Sequence, residues 1–188
     1  MFASPLTDAA ELRPLSPWHA EEFLAHLDRA RTHIAPWVGA SFVATDLESA
    51  RRVLRRYAEK WAADAGGIWG IWAGGTLVGG VMFVSFDPVS GVAEAGCWLE
   101  PAAEGRGLVT RAATRIVDWA IRERGIHRVE WRTSVGNVRS VAVARRLGMR
   151  HEGTLREVVP GPAGRVDVEV WAVLAGQWSP TGGPRASA

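Results

Sequence analysis

The apolar spacing of this chain changes partway along, and the change ends at a glycine-bearing loop. Residues 68–72, 77–86 and 92–99 carry apolar side chains over strand lengths, with Gly74-Gly75 between the first two runs and Asp87-Pro88 opening the connection to the third. An antiparallel meander is predicted there. The segment Glu104-Gly105-Arg106-Gly107-Leu108-Val109-Thr110 then leads into a helical stripe reaching about Arg124, with Gly125 as its C-cap, before strand residues 128–133. Strand, loop, helix and strand in that order make a crossover. The expected fold is mixed α/β (α+β): a twisted, mostly antiparallel sheet with one parallel pair, flanked by about four helices.

The other elements follow from local signals. Ser16-Pro17 predicts an N-cap and first helical residue for a helix over 17–31, with a strand at 12–15 before it and Pro36 after it. Asp46 is placed to cap a second helix reaching residues 60–63, with Leu47, Ala50, Val53, Leu54 and Tyr57 as its apolar stripe and Gly66-Gly67 as its stop. Residues 137–147 read as a short helix ended by Gly148. Strands at 149–158 and 166–174 follow, joined through Pro160-Gly161-Pro162. With 188 residues and 47% hydrophobic content, one domain over residues 1–178 is expected, and the Pro, Gly, Ser and Ala rich residues 179–188 are expected to be disordered.

Composition removes several function classes. The 22 basic residues nearly balance 20 acidic ones, a net charge of +2, which gives no footprint for nucleic acid. The short runs Arg51-Arg52, Arg55-Arg56 and Arg145-Arg146 lie on helical segments; the first two read as a solvated face. Cys97 is the single cysteine, so an internal disulfide framework and a multi-cysteine zinc site are excluded, and His33, His127 and His151 share no metal-ligand spacing. No metal is expected. No stretch approaches the ~20 apolar residues of a membrane span, so no membrane partner and a cytoplasmic location are expected. Of the ten tryptophans, Trp37, Trp61 and Trp178 lie near element ends, where they would suit a cleft or an interface.

The loop at 104–110 brings backbone N–H groups and the unsatisfied first turn of a helix together, which is the chemistry of an anion site. Gly105 and Gly107 allow close backbone approach, and the Thr110 hydroxyl adds a donor. A plain strand-to-helix turn would use the same residues. One crossover later, Asn137-Val138-Arg139-Ser140 opens the next helix, with Asn137 and Ser140 on one face. Singly, these two read as an N-cap and a first-turn serine; beyond an anion loop the pair points to a shared ligand.

These two motifs, with Leu12-Arg13-Pro14-Leu15, the 33–37 segment and Ala93-Glu94-Ala95-Gly96-Cys97-Trp98-Leu99, resemble the GNAT acyltransferase superfamily. The similarity is to its RimJ/RimL-like branch of ribosomal-protein N-terminal acetyltransferases, over about residues 12–178. The resemblance implies an N-acetyltransferase that moves an acetyl group from acetyl-CoA to a primary amine, of a protein N-terminus or a small molecule, by direct attack. It implies a splay of two strands where the backbone of Cys97, Trp98 and Leu99 pairs with pantetheine. Glu104, Gly105, Arg106, Gly107, Leu108, Val109 and Thr110 would hold the pyrophosphate. Asn137 would bond pantetheine, and Ser140 would lie near the sulfur as the acid, since Ala144 stands where the superfamily commonly has a tyrosine. Arg106, Arg111, Arg145 and Arg146 are expected to supply positive charge to the phosphates, with Arg145 and Arg146 as partners of the 3′-phosphate; His33 and Trp37, with the 87–91 loop, would contact the acceptor.

Two positions depart from the pattern: Glu104 stands where Gln or Arg is usual, and Val109 where Gly or Ala is usual. An acidic side chain beside a pyrophosphate is electrostatically unhelpful unless it points away, and Val109 crowds the close approach. Glu94 leads into the splay, either as the base that deprotonates the amine or as a structural ion pair. An acyl-cysteine at Cys97 is disfavoured for want of a histidine in its motif. A homodimer is consistent with the branch. The alternative readings are a non-catalytic acyl-CoA-binding sensor or scaffold, and a nucleotide-binding module.

Overall fold

The computed structural model describes residues 3–161 and 164–180. In chain order the strands are β1 Ser4–Thr7, β2 Ala10–Pro14, β3 Gly67–Ala73, β4 Thr76–Asp87, β5 Val92–Leu99, β6 Arg128–Ser134, β7 Arg150–Gly161 and β8 Gly164–Leu174. The helices are α1 Ala20–Ile34, α2 Leu47–Ala62, α3 Leu108–Arg122 and α4 Val138–Arg146. Among the described residues the strands form one eight-stranded sheet in the order β1-β2-β3-β4-β5-β6-β8-β7. Every pairing is antiparallel except β5 with β6. The mixed sheet and its single crossover are as the glycine loop requires.

Strand alternation divides the core between the two faces of the sheet. Trp69, Ile71, Ala93, Ala95, Val129 and Trp131 pack under α3 and α4. Ile68, Trp72, Met82 and Trp98 meet α1 and α2 on the other face. The stripe on α2 is as expected: Ala50, Val53, Leu54 and Tyr57 are buried, and Leu47 packs against them. Its cap is reciprocal, because Asp46 Oδ1 accepts the Ser49 N–H at 2.7 Å while Ser49 Oγ accepts the Asp46 N–H at 3.1 Å.

Three details differ from the sequence reading. The first helix starts as a 3-10 turn at Pro17–His19, where the His19 ring accepts the Ser16 N–H at 3.1 Å, and it continues past residue 31 because Ile34 is buried. β1 was not expected; Leu6 is its one buried side chain, too little for a period to show. β7 runs through Pro160, which an edge strand tolerates because a missing N–H there breaks no ladder. Pro162 of the expected turn, and residues 181–188 of the expected disordered tail, lie outside the described residues.

Candidate active site

The parallel pair is short. β5 and β6 are in register only from Val92↔Arg128 to Ala95↔Trp131. Beyond that point Gly96, Cys97, Trp98 and Leu99 stay paired with β4, and Arg132, Thr133 and Ser134 stay paired with β8. The strands therefore part, and the backbone groups of residues 96–99 that point away from β4 face a gap. β4 is fitted to this region by its glycines: a Cβ on Gly80 would fall 2.2 Å from Trp98 Cη2 and 2.3 Å from the Trp69 carbonyl oxygen. A β-bulge between Phe83 and Ser85 lies further along the same pairing.

The gap opens into a cleft of about 2550 Å³, whose lining includes Gly105, Gly107, Thr110, Asn137 and Ser140. Gly105 and Gly107 hold φ of +75° and +69°, the left-handed region. Arg111 N–H bonds the Gly107 carbonyl as the first full turn of α3, so the N–H groups of residues 108–110 have no partner within the helix. Leu108 and Val109 are 1% and 7% exposed, their side chains in the core beneath. Both nevertheless belong to the lining of the cleft. Gly107→Ala meets no steric obstacle but must adopt a left-handed φ, so it is expected to cost about 1 kcal/mol, or roughly 2–4 °C in Tm, by thermal melting.

Glu104 lines the cleft and has partners of its own. Its carboxylate meets His33 Nε2 at 2.8 Å and Arg139 Nε at 3.2 Å, tying α1 and α4 to the loop. His33 lines the cleft, as expected of a residue on the acceptor side, and its Nε2 is engaged by Glu104. Trp37 is 43% exposed and lines the same cleft; Trp61 and Trp178 do not. Trp61 instead stacks on Trp119, ring centroids 5.8 Å apart, and Trp178 Nε1 donates to Asp118 Oδ1 at 3.0 Å. The 87–91 loop is also absent from the lining.

The two arginines of α4 separate. Arg146 lines the cleft, whereas the Arg145 guanidinium lies 5.5 Å from the Trp171 ring centroid on β8 and contributes nothing to the lining. Neighbours on a helix point about 100° apart. Arg106 is exposed and outside the lining, while Arg111 and Arg115, one turn apart on α3, are within it. Of the four arginines expected to meet the phosphates, Arg111 and Arg146 line the cleft and Arg106 and Arg145 do not.

Ser140 and Glu94 reach the gap from opposite faces of the sheet. Ser140 Oγ accepts the Trp131 Nε1–H at 2.8 Å, which leaves its own O–H to donate. Asn137 Oδ1 caps α4 by accepting the Ser140 N–H at 3.2 Å; its amide donors make no bond among the described residues. Glu94 lies on the α1/α2 face, opposite in alternation to Ala93 and Ala95, with Arg132 Nε 3.7 Å away. Burial pushes its carboxyl above the usual range; Glu130 adds to this, and Arg132 and Lys60 oppose it. Burial raises the Cys97 thiol to about 12, so it is neutral at pH 7.

The sequence reading missed the wall beside Glu94. Tyr57 and Met82 form it, with Tyr57 Oη donating to Met82 Sδ at 2.9 Å, and Arg56 and Lys60 flank them. Thr133 was also missed: it lines the gap at 5% exposure, and its Oγ1 has no partner among the described residues. The i, i+4 spacing of Arg56 and Lys60 around a tyrosine of the apolar stripe was the available signal.

The parted parallel pair lies beside the open N-terminus of α3, and comparison with known proteins gives the class of such a site. Residues 10–150 match the model of the acetyltransferase (GNAT) domain, three-quarters of the chain, and the protein belongs to that acetyltransferase family. YdaF of Bacillus subtilis, provisionally named a ribosomal N-acetyltransferase, is 27% identical over 95% of this chain and 98% of its own. RimL, a ribosomal L7/L12 α-N-protein acetyltransferase solved with coenzyme A, superposes with TM-score 0.85 at 20% identity, covering 92% of this chain and 97% of that one. The microcin C7 self-immunity acetyltransferase MccE, solved with acetyl-CoA and AMP, gives 0.79 at 22% identity over 90% and 94%. These relatives lend no support to the non-catalytic sensor.

Proposed function

We propose that the protein acetylates the α-amine of a peptide or protein N-terminus, with acetyl-CoA as donor. The observation that carries this reading is the gap itself, with a carboxyl on one face and a hydroxyl donor on the other, beside the start of α3. The residues fit the donor. The free N–H groups of residues 108–110 suit the pyrophosphate, with Arg111, Arg115 and Arg146 for its phosphates, and the open edge of residues 96–99, the Asn137 amide and the orphaned Thr133 hydroxyl suit pantetheine. When bound, the donor supplies an activated acyl carbon.

The acceptor enters from the Glu94 face. A free alkyl amine is mostly protonated at pH 7 and has no lone pair in that form, so the Glu94 carboxylate first takes a proton from the ammonium, and the neutral nitrogen then forms the C–N bond. An N–H of Trp98 or Leu99 directed into the gap stabilises charge on the carbonyl oxygen. The Ser140 O–H donates to the sulfur as the C–S bond breaks. No covalent enzyme adduct is needed, in accord with the neutral Cys97 thiol.

An N-terminal acceptor, rather than a small amine, is supported by the names of YdaF and RimL and by the shape of the cleft. One wall is the connection after α1, including Pro36, Trp37 and Val38; the other is the β7–β8 hairpin, including Leu155, Val159 and Val168. An extended acceptor chain would lie between them. The test is thiol release from acetyl-CoA and succinyl-CoA against panels of peptides and small amines. Release with peptides and acetyl-CoA is expected; bound coenzyme with flat traces in both panels would leave only a binding protein.

A further inference from the structure

The acceptor side of the cleft carries an unbalanced charge. Arg56 and Lys60 lie one turn apart on α2, on either side of Tyr57, with their charged groups 5.6 and 5.7 Å from its ring centroid. Both line the cleft with Glu94. Arg56 donates only to the Ser41 carbonyl, at 3.4 Å, and Lys60 donates to the Val84 carbonyl. Among the described residues neither makes a salt bridge. Other basic residues of α2 behave differently: Arg51, Arg52 and Arg55 are exposed, and Arg52 pairs with Glu48 at 2.9 Å. On the opposite wall Arg132, 3.7 Å from Glu94, is bonded to Glu130 at 2.9 Å, so its charge is already matched. With Arg132 matched by Glu130, Arg56 and Lys60 are two cations facing the one carboxylate of Glu94 where the amine must enter.

That balance is wrong for a polyamine or any other polycationic acceptor, which would be repelled as it approached Glu94. It suits an amine that carries its own negative charge nearby. We infer that Arg56 and Lys60 select acceptor peptides with an Asp or Glu within the first few residues after the α-amine, an inference that rests on the N-terminal acceptor proposed above. An extended chain advances about 3.3 Å per residue, so side chains at its second to fourth positions pass α2 while the amine is at Glu94. Half-exposed ion pairs are individually weak, and two together correspond to about a tenfold preference.

The experiment compares kcat/KM for three peptides that differ only at positions 2–4: Asp-containing, neutral and Arg-containing, with arginine chosen so that no second acceptor amine is present. The intact protein is expected to favour the acidic over the basic peptide about tenfold at low salt, and less at high salt. The Arg56→Glu, Lys60→Glu double variant is expected to invert the order. Should that variant fold poorly, Arg56→Gln with Lys60→Gln is expected to bring the ratio toward one. Arg51→Glu, exposed and outside the cleft, leaves it unchanged. A ratio near one in the intact protein, or an unchanged preference in a double variant that still uses the neutral peptide, overturns the inference while leaving the peptide acceptor in place. Acetylation of small amines with no peptide used overturns both.

Discussion

Ser140→Ala is expected to lower kcat by about a hundredfold while leaving the affinity for acetyl-CoA within about threefold. The separation follows from where the hydroxyl sits. Its oxygen is already engaged by Trp131 Nε1 at 2.8 Å, so the lone pair serves the protein and the O–H serves the cleft. Removing it leaves the start of α3 and the open edge of β5, the elements assigned to holding the donor, untouched. The indole N–H loses its partner, which adds a stability cost of about 1–3 kcal/mol unless water takes the place of the hydroxyl. A denaturation curve beside the kinetics separates the two effects. A loss of acetyl-CoA affinity equal to the loss of kcat would make Ser140 a binding residue instead.

Glu94→Gln is expected to lower kcat at pH 7 by a similar factor, about a hundredfold, and to abolish the acid limb of the pH–rate profile. Glu94 must be ionised to accept a proton, and burial raises its pKa, so the rate of the intact enzyme climbs with pH through a value above the ordinary glutamate range. The stability effect has the opposite sign. A carboxyl whose folded pKa is raised binds more protons folded than unfolded, so its ionisation erodes stability as pH rises from the unfolded pKa through the folded one. Glutamine removes that loss. The variant should therefore be slower but no less stable at neutral pH, which distinguishes a base from a purely structural ion pair with Arg132. If Glu94 only holds Arg132, the variant keeps its acid limb.

Much of the fold was legible because its signals are local. Asp46 with Ser49, the α2 stripe and the glycines at 105, 107 and 148 each fix a few neighbouring residues, and the helices and longer strands fall close to the predicted spans. β1 was not legible, since four residues with one buried side chain carry no period. The gap could be located only by resemblance. Where β5 leaves β6 depends on register with β4 and β8, which local spacing does not encode.

The side chains of the site show the same limit. Asn137, Ser140 and Glu94 could be singled out because each sits within or beside a motif. Which of Arg145 and Arg146 enters the cleft depends on the rotation of α4 against β8, and Trp171, which holds Arg145, is 26 residues further along the chain. Glu104 could be seen to break the pattern, but its partner His33 is 71 residues away. Arg56 reads as one of four similar arginines on α2 until the helix is docked and that side chain alone of the four is turned toward the cleft around Tyr57.

The central claim is direct acetyl transfer to an N-terminal nitrogen across the gap between β5 and β6. Its most direct measurement is mass spectrometry, with fragment mapping, of a peptide incubated with the protein and acetyl-CoA, beside the same peptide with its α-amine blocked. One acetyl group on the α-nitrogen of the free peptide, none on the blocked one, and a coupled loss of that product in Ser140→Ala and Glu94→Gln are predicted. Undiminished product in both variants, or acetyl found on Cys97 as an intermediate, would contradict the account.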